Sequence, residues 1–502
     1  MKICYFSFDS IGSVFTPLLL DDALINAKDN GHEVHFVYCD ASLSSCGINY
    51  FKSSSVCNEC SINRRLLFSK YKNISNIKFI PLSSIKTKSR LYSDTLFKFN
   101  SLDQIKKISY RNVNIGLGAT SSFVSKTRNM SPLFSDPVTI DFFTNFLTAA
   151  CQVVDSVITL ENENNYDEIR LCNGRLITER AVFETSKLLK KKINILELTS
   201  SKEPFKFRKV FYGSYLPHDI KNGTKLIEKF WDINKSKSKE SEIFFINRRN
   251  AQYASDKVYT KDQEIGLLPE NWDYKKRNFV IFNSSEDEVF SIGGFWDDGR
   301  IFSSQVDGIK YILNSVKKFN DIQVYLRIHP NLKNNNFSYV NELFILEEKF
   351  KNFIIIKAES KVSTYSLIDN SEKCIVFGSS VGIEANYWRK PVICLSPSMY
   401  YYLNVSYFPE SLKDLDFLLS NTLDPKPIIG SLKLGLYTFG DRGTNYKYVD
   451  FNFKVYRFFN KQIVINNYLT SKMLFVKFIY RVIRIFSTIK YYNRTRRLNK
   501  EL

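Results

Sequence analysis

The stretch Val324-Tyr325-Leu326-Arg327-Ile328-His329-Pro330 decides how the chain reads. It is an apolar run suited to a buried strand, halted abruptly at an imidazole and a proline. A second run of the same design ends in Phe377-Gly378-Ser379-Ser380-Val381-Gly382-Ile383-Glu384-Ala385, and a helical pattern follows it. In an open α/β sheet, ligands settle in the crevice beyond the carboxyl ends of the strands. His329 is expected at one such end, and Ser379 and Ser380 at another. Ser380 would open a helix, whose free N–H groups and positive dipole end attract phosphate. Two strand tips far apart in sequence are thus expected to form one seat for a diphosphate or phosphodiester.

Around these runs, strands are expected at 243–247, 278–283, 323–328, 353–357, 373–377 and 391–395, with helical patterns between most of them. That alternation predicts a doubly wound domain over 243–460. Asp232 to Glu242 is polar and lacks periodicity, so 232–242 reads as a linker. Before it, residues 2–8 read as a buried strand, about Pro17 to Lys28 as a helix, and His32 to Tyr38 as the next strand. This βαβ unit opens a first Rossmann-like domain over 1–231. Its loop, Asp9-Ser10-Ile11-Gly12-Ser13, lacks the GxGxxG fingerprint, and Asp9 and Ser10 are expected to line a cleft instead. Residues 100–155 read as mainly helical, with Phe and Thr clusters suited to an acceptor groove. Tyr166 to Cys172 is a strand, and a helix follows through Lys190. Asn173-Gly174-Arg175 sits at that strand-to-helix junction. Arg175 either faces the cleft or is a solvated first-turn residue.

With 502 residues, two domains are the default. The net charge of +20 points to an anionic partner: nucleic acid, a lipid surface or phosphorylated substrates. A competing source is the richness in Lys, Asn, Ile, Phe and Tyr that AT-biased coding produces. Much of the excess is concentrated. Residues 472–502 hold nine Lys or Arg against one acid, while Leu474, Phe475, Phe478, Ile479, Val482, Ile485 and Phe486 recur at helical spacing. The tail, 461–502, therefore reads as a basic amphipathic helix suited to an anionic inner-membrane surface. A terminal helix packed back on the first domain is the alternative. A basic groove interleaved with stacking aromatics is missing, so nucleic acid is not expected as a partner.

Nine cysteines, an odd number in a long chain, do not form a secreted disulfide framework. Cys39, Cys46, Cys57 and Cys60 supply four ligands in number, but their spacing suits ordinary loop thiols better than zinc. No metal or cofactor is expected. The apolar start meets Asp9 too soon for a signal peptide, and no run reaches the roughly 18 uninterrupted apolar residues of a span. The expectation is a cytoplasmic protein, peripheral on the membrane's inner face.

On Ser285-Glu286-Asp287-Glu288, Arg327-Ile328-His329-Pro330-Asn331, Gly378 to Ala385 and Lys390-Pro391-Val392-Ile393, the chain resembles bacterial capsule and O-antigen polysaccharide biosynthesis proteins of the GT-B type. Asn173-Gly174-Arg175 looks like this group too. The resemblance implies two Rossmann-like domains facing a cleft. His-Pro with a Ser-rich turn is also similar to sialic acid and Kdo transferases that use CMP-sugars, in which the His and serines hold the donor phosphate. Asp297-Asp298-Gly299 looks like their acidic triplet, but stands in the second domain where the family has it in the first.

The reading that results is an inverting, metal-independent glycosyltransferase moving a sugar from a nucleotide-activated donor to a lipid-linked surface glycan. Arg327, His329, Pro330, Ser379, Ser380, Gly382 and Glu384 are the expected donor residues, with Glu384 accepting from ribose or sugar hydroxyls. His329 stabilises charge on the leaving phosphate, and Asp9, or else Glu161, is the base. The alternatives are a CDP-polyol phosphotransferase of the same architecture and a non-catalytic scaffold of a polysaccharide-assembly complex.

Overall fold

The computed structural model describes residues 1–8, 13–87, 97–203, 206–234, 236, 238–255, 258–333, 338–449, 453–458, 461–466 and 471–499. The chain divides into two compact units. The first holds Met1–Ser200, Phe205–Pro217 and Arg442–Leu502, and the second Ser201–Pro204 and His218–Asp441.

The first unit contains strands β1 (Lys2–Ser7), β2 (Glu33–Tyr38), β3 (Ile77–Pro81), a short hairpin β4 (Ser109–Tyr110) and β5 (Val113–Asn114), then β6 (Glu168–Cys172), β7 (Ile193–Ser200) and β8 (Phe207–Phe211). Its helices are α1 (Phe15–Lys28), α2 (Ser54–Phe68), α3 (Leu102–Lys106), α4 (Gly116–Thr127), α5 (Pro137–Asn164) and α6 (Ile177–Leu188). The sheet runs β3-β2-β1-β6-β7-β8, with only β8 antiparallel. Ile3, Cys4 and Tyr5 of β1 are fully buried, as the continuous apolar run of a strand covered on both faces requires. The reading of 100–155 as mainly helical holds. α5 is long and apolar enough by length and composition to cross a membrane, yet two-thirds of that window is buried in the unit. Phe142, Phe143 and Phe146 lie at zero exposure, and Phe142 stacks on Phe146 at 4.2 Å. α5 is the core helix of this unit.

The second unit contains α7 (Ile220–Ile233), α8 (Ser238–Arg249), β9 (Arg277–Phe282), α9 (Phe295–Asp298), α10 (Gln305–Val316), β10 (Ile322–Arg327), α11 (Ser338–Lys349) and β11 (Phe353–Ile356). It continues with α12 (Thr364–Asn370), β12 (Lys373–Val376), α13 (Val381–Tyr387), β13 (Val392–Cys394), α14 (Leu412–Ser420) and α15 (Ile429–Phe439). Its sheet is wholly parallel, in the order β11-β10-β9-β12-β13. The strand order reverses between β9 and β12, which makes their carboxyl ends the switch point where such folds take ligands. Both units are Rossmann-like, as the strand–helix alternation predicted.

Three expected boundaries change. Within the linker expected at 232–242, residues 232–233 end α7 and 238–242 open α8, and the strand expected at 243–247 lies inside α8. Ser241, Phe244, Phe245 and Arg248 are buried at helical spacing, and Phe245 stacks on Tyr387 at 4.1 Å. That packing turns a short apolar run, ambiguous in sequence, into helix. The second unit ends at Asp441 rather than at 460, and the tail expected from 461 begins within the first unit's returning segment. The buried Asp21 carboxylate explains the return. It pairs with Lys209, and its Oδ1 accepts the backbone N–H groups of Lys447 at 3.0 Å, Tyr448 at 2.6 Å and Val449 at 2.8 Å. A hairpin, β14 (Phe453–Phe458) and β15 (Lys461–Asn466), follows, and then α16 (Ser471–Arg497).

Candidate active site

The loop after β9 ties three strand tips of the second unit together. The Asn283 side-chain oxygen accepts the backbone N–H of His329, just past β10, at 2.8 Å. Ser284 Oγ donates to the Phe377 carbonyl, just past β12, at 2.8 Å. Gly378 makes the turn there at φ +78°, where a Cβ would lie 2.8 Å from the Pro397 oxygen, so no other residue fits without strain. One pocket results, lined by Arg327, His329 and Pro330 from the β10 tip and by Ser379, Ser380 and Glu384 from the β12 side. The residues that the sequence paired therefore do converge, within a single unit.

His329 is held by both its backbone and its ring. Nδ1 accepts the Asn331 N–H at 3.2 Å, and the Asn331 side chain donates to Glu288 Oε1 at 2.8 Å. In the neutral ring this network places the proton on Nε2, the nitrogen able to donate to an anion. Arg327 is 3% exposed, and its Nη atoms donate to the carbonyls of Lys357 at 2.7 Å and Ser360 at 2.9 Å. No carboxylate pairs with it among the described residues. Burial pulls its pKa down to about 10, so it keeps its charge at neutral pH. A buried cation held by carbonyls alone contributes a positive field to the pocket wall.

The cation that sequence reasoning missed is Arg248, on α8. Its Nη2 lies 3.0 Å from Glu384 Oε1, outside hydrogen-bond geometry, and donates to Ser380 Oγ at 3.3 Å. Tyr365 donates to Glu384 Oε2. Burial and the Glu384 charge raise the phenol's pKa, so its proton stays in place. Glu384 thus positions Arg248, and its expected use for a sugar hydroxyl meets two groups already engaged. The spacing Ser241, Phe244, Phe245, Arg248 carried a helical signal, but the polar 232–242 stretch masked it. Asn283, Tyr259 and Tyr365 also line the pocket and carried no motif.

Gly382 does not line the pocket. A Cβ there would meet Tyr400 Oη at 2.5 Å, and Tyr400 needs that space to donate to the Ser379 carbonyl at 2.7 Å. Its role is to let the turn close. The helix expected to attract phosphate, α13, has only 7 residues, so the side-chain cations are the stronger source of positive potential.

In the first unit the expected residues fare differently. Asp9 and Ser10 lie outside the described residues. Glu161 is buried beside Lys191, 2.5 Å away, at the amino-terminal edge of β6 and β7. That edge is opposite the carboxyl ends of the strands, where such sheets take ligands, and away from the place expected for Glu161. Asn173 and Arg175 do stand past the carboxyl end of β6. Asn173 donates to Glu197 Oε2 at 2.8 Å. Arg175 is 8% exposed and donates from Nε to Ser121 Oγ at 2.6 Å, so it is not a solvated first-turn residue. Arg64, unforeseen, is buried on α2 and donates to the Ser7 and Cys39 carbonyls at the ends of β1 and β2. Among the described residues no group of three His, Cys, Asp or Glu is placed to hold a metal, and all nine cysteines are free.

Residues 232–407 match the family described as "Capsule polysaccharide biosynthesis protein". Curated proteins give no match. Solved structures give distant likenesses. A beta Kdo 2,7 transferase, KpsC of Thermosulfurimonas dismutans, is 14% identical at a TM-score of 0.32, covering 62% of this chain and 85% of that one. The beta Kdo 2,4 transferase of the same KpsC is 10% identical at 0.33, covering 54% and 80%. A UDP-GlcNAc 2-epimerase from Neisseria meningitidis, bound to UDP-GlcNAc, is 11% identical at 0.22, covering 87% and 99%. At these scores the likenesses carry no argument about chemistry. The family match, in contrast, includes α8 and every strand tip that lines the pocket.

Proposed function

We propose that this chain is a glycosyltransferase of capsule or related surface-polysaccharide assembly, and that its second unit binds the phosphates of a nucleotide-activated sugar. One observation carries the reading: Arg248, Arg327, His329, Ser379 and Ser380 line a single pocket beside the switch point of a parallel sheet. Two cations against one carboxylate leave a net positive seat, and the His329 imidazole adds a further donor. As the bond to the sugar breaks, charge grows on the leaving phosphate, and fixed donors in a buried site stabilise that charge without reorganising. The reaction proposed is an inverting transfer in which these groups take the part of a metal ion. The acceptor is a lipid-linked glycan, deprotonated by Asp9, assigned on its place in the sequence immediately beyond β1.

A melting-temperature panel over CMP, CDP, UDP, GDP and dTDP tests the donor site, because a ligand bound only by the folded state raises apparent stability. One nucleotide is expected to raise the melting temperature of the wild type. His329→Ala should bind it about 10-fold more weakly, the worth of one hydrogen bond to a charged group. If no nucleotide or nucleotide-sugar shifts the wild type, the transferase reading fails in favour of a scaffold.

A further inference from the structure

α16 has two unlike sides. On one, Met473 and Leu498 are fully buried against the first unit, and Arg484 pairs with Glu59 on α2. Arg494 reaches Asp141 and Arg497 reaches Asp136, at 2.6 and 2.5 Å. Asn129 donates to the Leu498 carbonyl at 3.0 Å. This much fits the alternative of a helix folded back on its own domain. On the other side Phe475, Phe478, Ile479, Val482 and Ile483 are 63, 64, 39, 41 and 45% exposed. Their spacing of i, i+3, i+4, i+7 and i+8 makes one continuous apolar stripe over two turns. Single exposed apolar side chains are ordinary; an uninterrupted stripe with two phenylalanines calls for a covering surface. Lys472, Lys477 and Arg481 are exposed along the same turns, and no acidic residue occurs between 471 and 499.

We infer that the proximal part of α16, residues 472–483, lies in the plane of an anionic lipid bilayer, while the distal part straps the helix to the first unit. Charge complementarity selects this occupant, since an apolar stripe edged only by cations matches anionic headgroups above acyl chains. The strapping also corrects the charge count. Arg484, Arg494 and Arg497 face carboxylates of the protein, so three exposed cations, and not the tail's whole basic complement, carry the attraction in this part. The inference shares no residue with the nucleotide pocket, so either stands if the other fails.

Flotation of the full chain with vesicles tests it, using phosphatidylcholine alone and phosphatidylcholine with about a quarter phosphatidylglycerol. Wild type should partition to the anionic vesicles and weakly to the neutral ones. Phe475→Ser with Phe478→Ser should lower partitioning on the order of 100-fold, as should Lys472→Gln with Lys477→Gln and Arg481→Gln, at about fivefold per cation. Arg494→Gln, which touches only the strap, should leave partitioning within about twofold, because its exposed pair with Asp141 is worth little. A cooperative thermal unfolding transition, followed in parallel by far-ultraviolet circular dichroism, confirms that each variant is folded. Absence of binding to anionic vesicles, or binding indifferent to the double Phe change, overturns the inference. So does a concentration-dependent dimer of the wild type that the double change abolishes, because a second copy would then cover the stripe.

Discussion

Arg248→Met is the most informative single change. It keeps the aliphatic bulk on α8 but removes the cation 3.0 Å from Glu384, in a pair whose side chains are 8 and 4% exposed. At that separation and an effective dielectric near 20, the gross attraction is about 5 kcal/mol. Glu384 keeps its bond from Tyr365, so the expected loss on unfolding in urea is about 3 kcal/mol, the low end for breaking a buried pair. Glu384→Gln alone should cost a similar amount by stranding Arg248. The double variant, which strands neither charge, should cost clearly less than the two singles combined, with a coupling of about 2 kcal/mol. Nucleotide titration adds an opposing readout. Arg248→Met should weaken phosphate binding about 10- to 100-fold, whereas the Glu384→Gln pocket, having lost its negative charge, should hold phosphate at least as well as the wild type. Additive stabilities would refute the coupling between Arg248 and Glu384, and unchanged binding in Arg248→Met would refute the cation's part in holding phosphate.

Two further changes test the frame around the site. Gly378→Ala combines a left-handed φ with a contact at 2.8 Å to the Pro397 carbonyl, so a loss of about 1–3 kcal/mol in denaturant and a weaker nucleotide response are expected; wild-type stability would contradict the strained turn. Lys373, fully buried in β12, donates to the carbonyls of Leu418 and Leu419 in the last turn of α14 and of Asn421 just beyond it, and burial brings its pKa down to about 8. Its folded pKa lies below the unfolded one, so the unfolded chain binds more protons between about pH 8 and 10.5. Stability should therefore rise with pH across that window, by about 3 kcal/mol from this group. Lys373→Met should flatten that rise in urea titrations, and an unchanged slope would sink the assignment.

Much of the second unit was legible because its strands are short apolar runs with abrupt ends, and parallel strands buried on both faces need that pattern. His329, Ser379 and Ser380 were findable for the same reason: the residue just past such a run must stand at the carboxyl edge. Arg248 was not. It comes from a helix whose identity depends on Phe245 packing against Tyr387, about 140 positions away in the chain. Glu161 shows the converse failure, since a carboxylate near a strand in sequence falls at whichever end of the sheet the connecting helix delivers it.

The sequence by itself determined two α/β units, the strand tips of the pocket, and a basic amphipathic tail, all of which follow from local period and punctuation. Tertiary structure alone decided that Glu384 holds an arginine, that Gly382 makes room for Tyr400, that the chain returns to its first unit through Asp21, and which face of the tail remains open. These depend on long-range contacts between groups whose energies appear only when burial removes water. A hydrogen bond or ion pair that decides nothing in solvent decides position once both partners are enclosed.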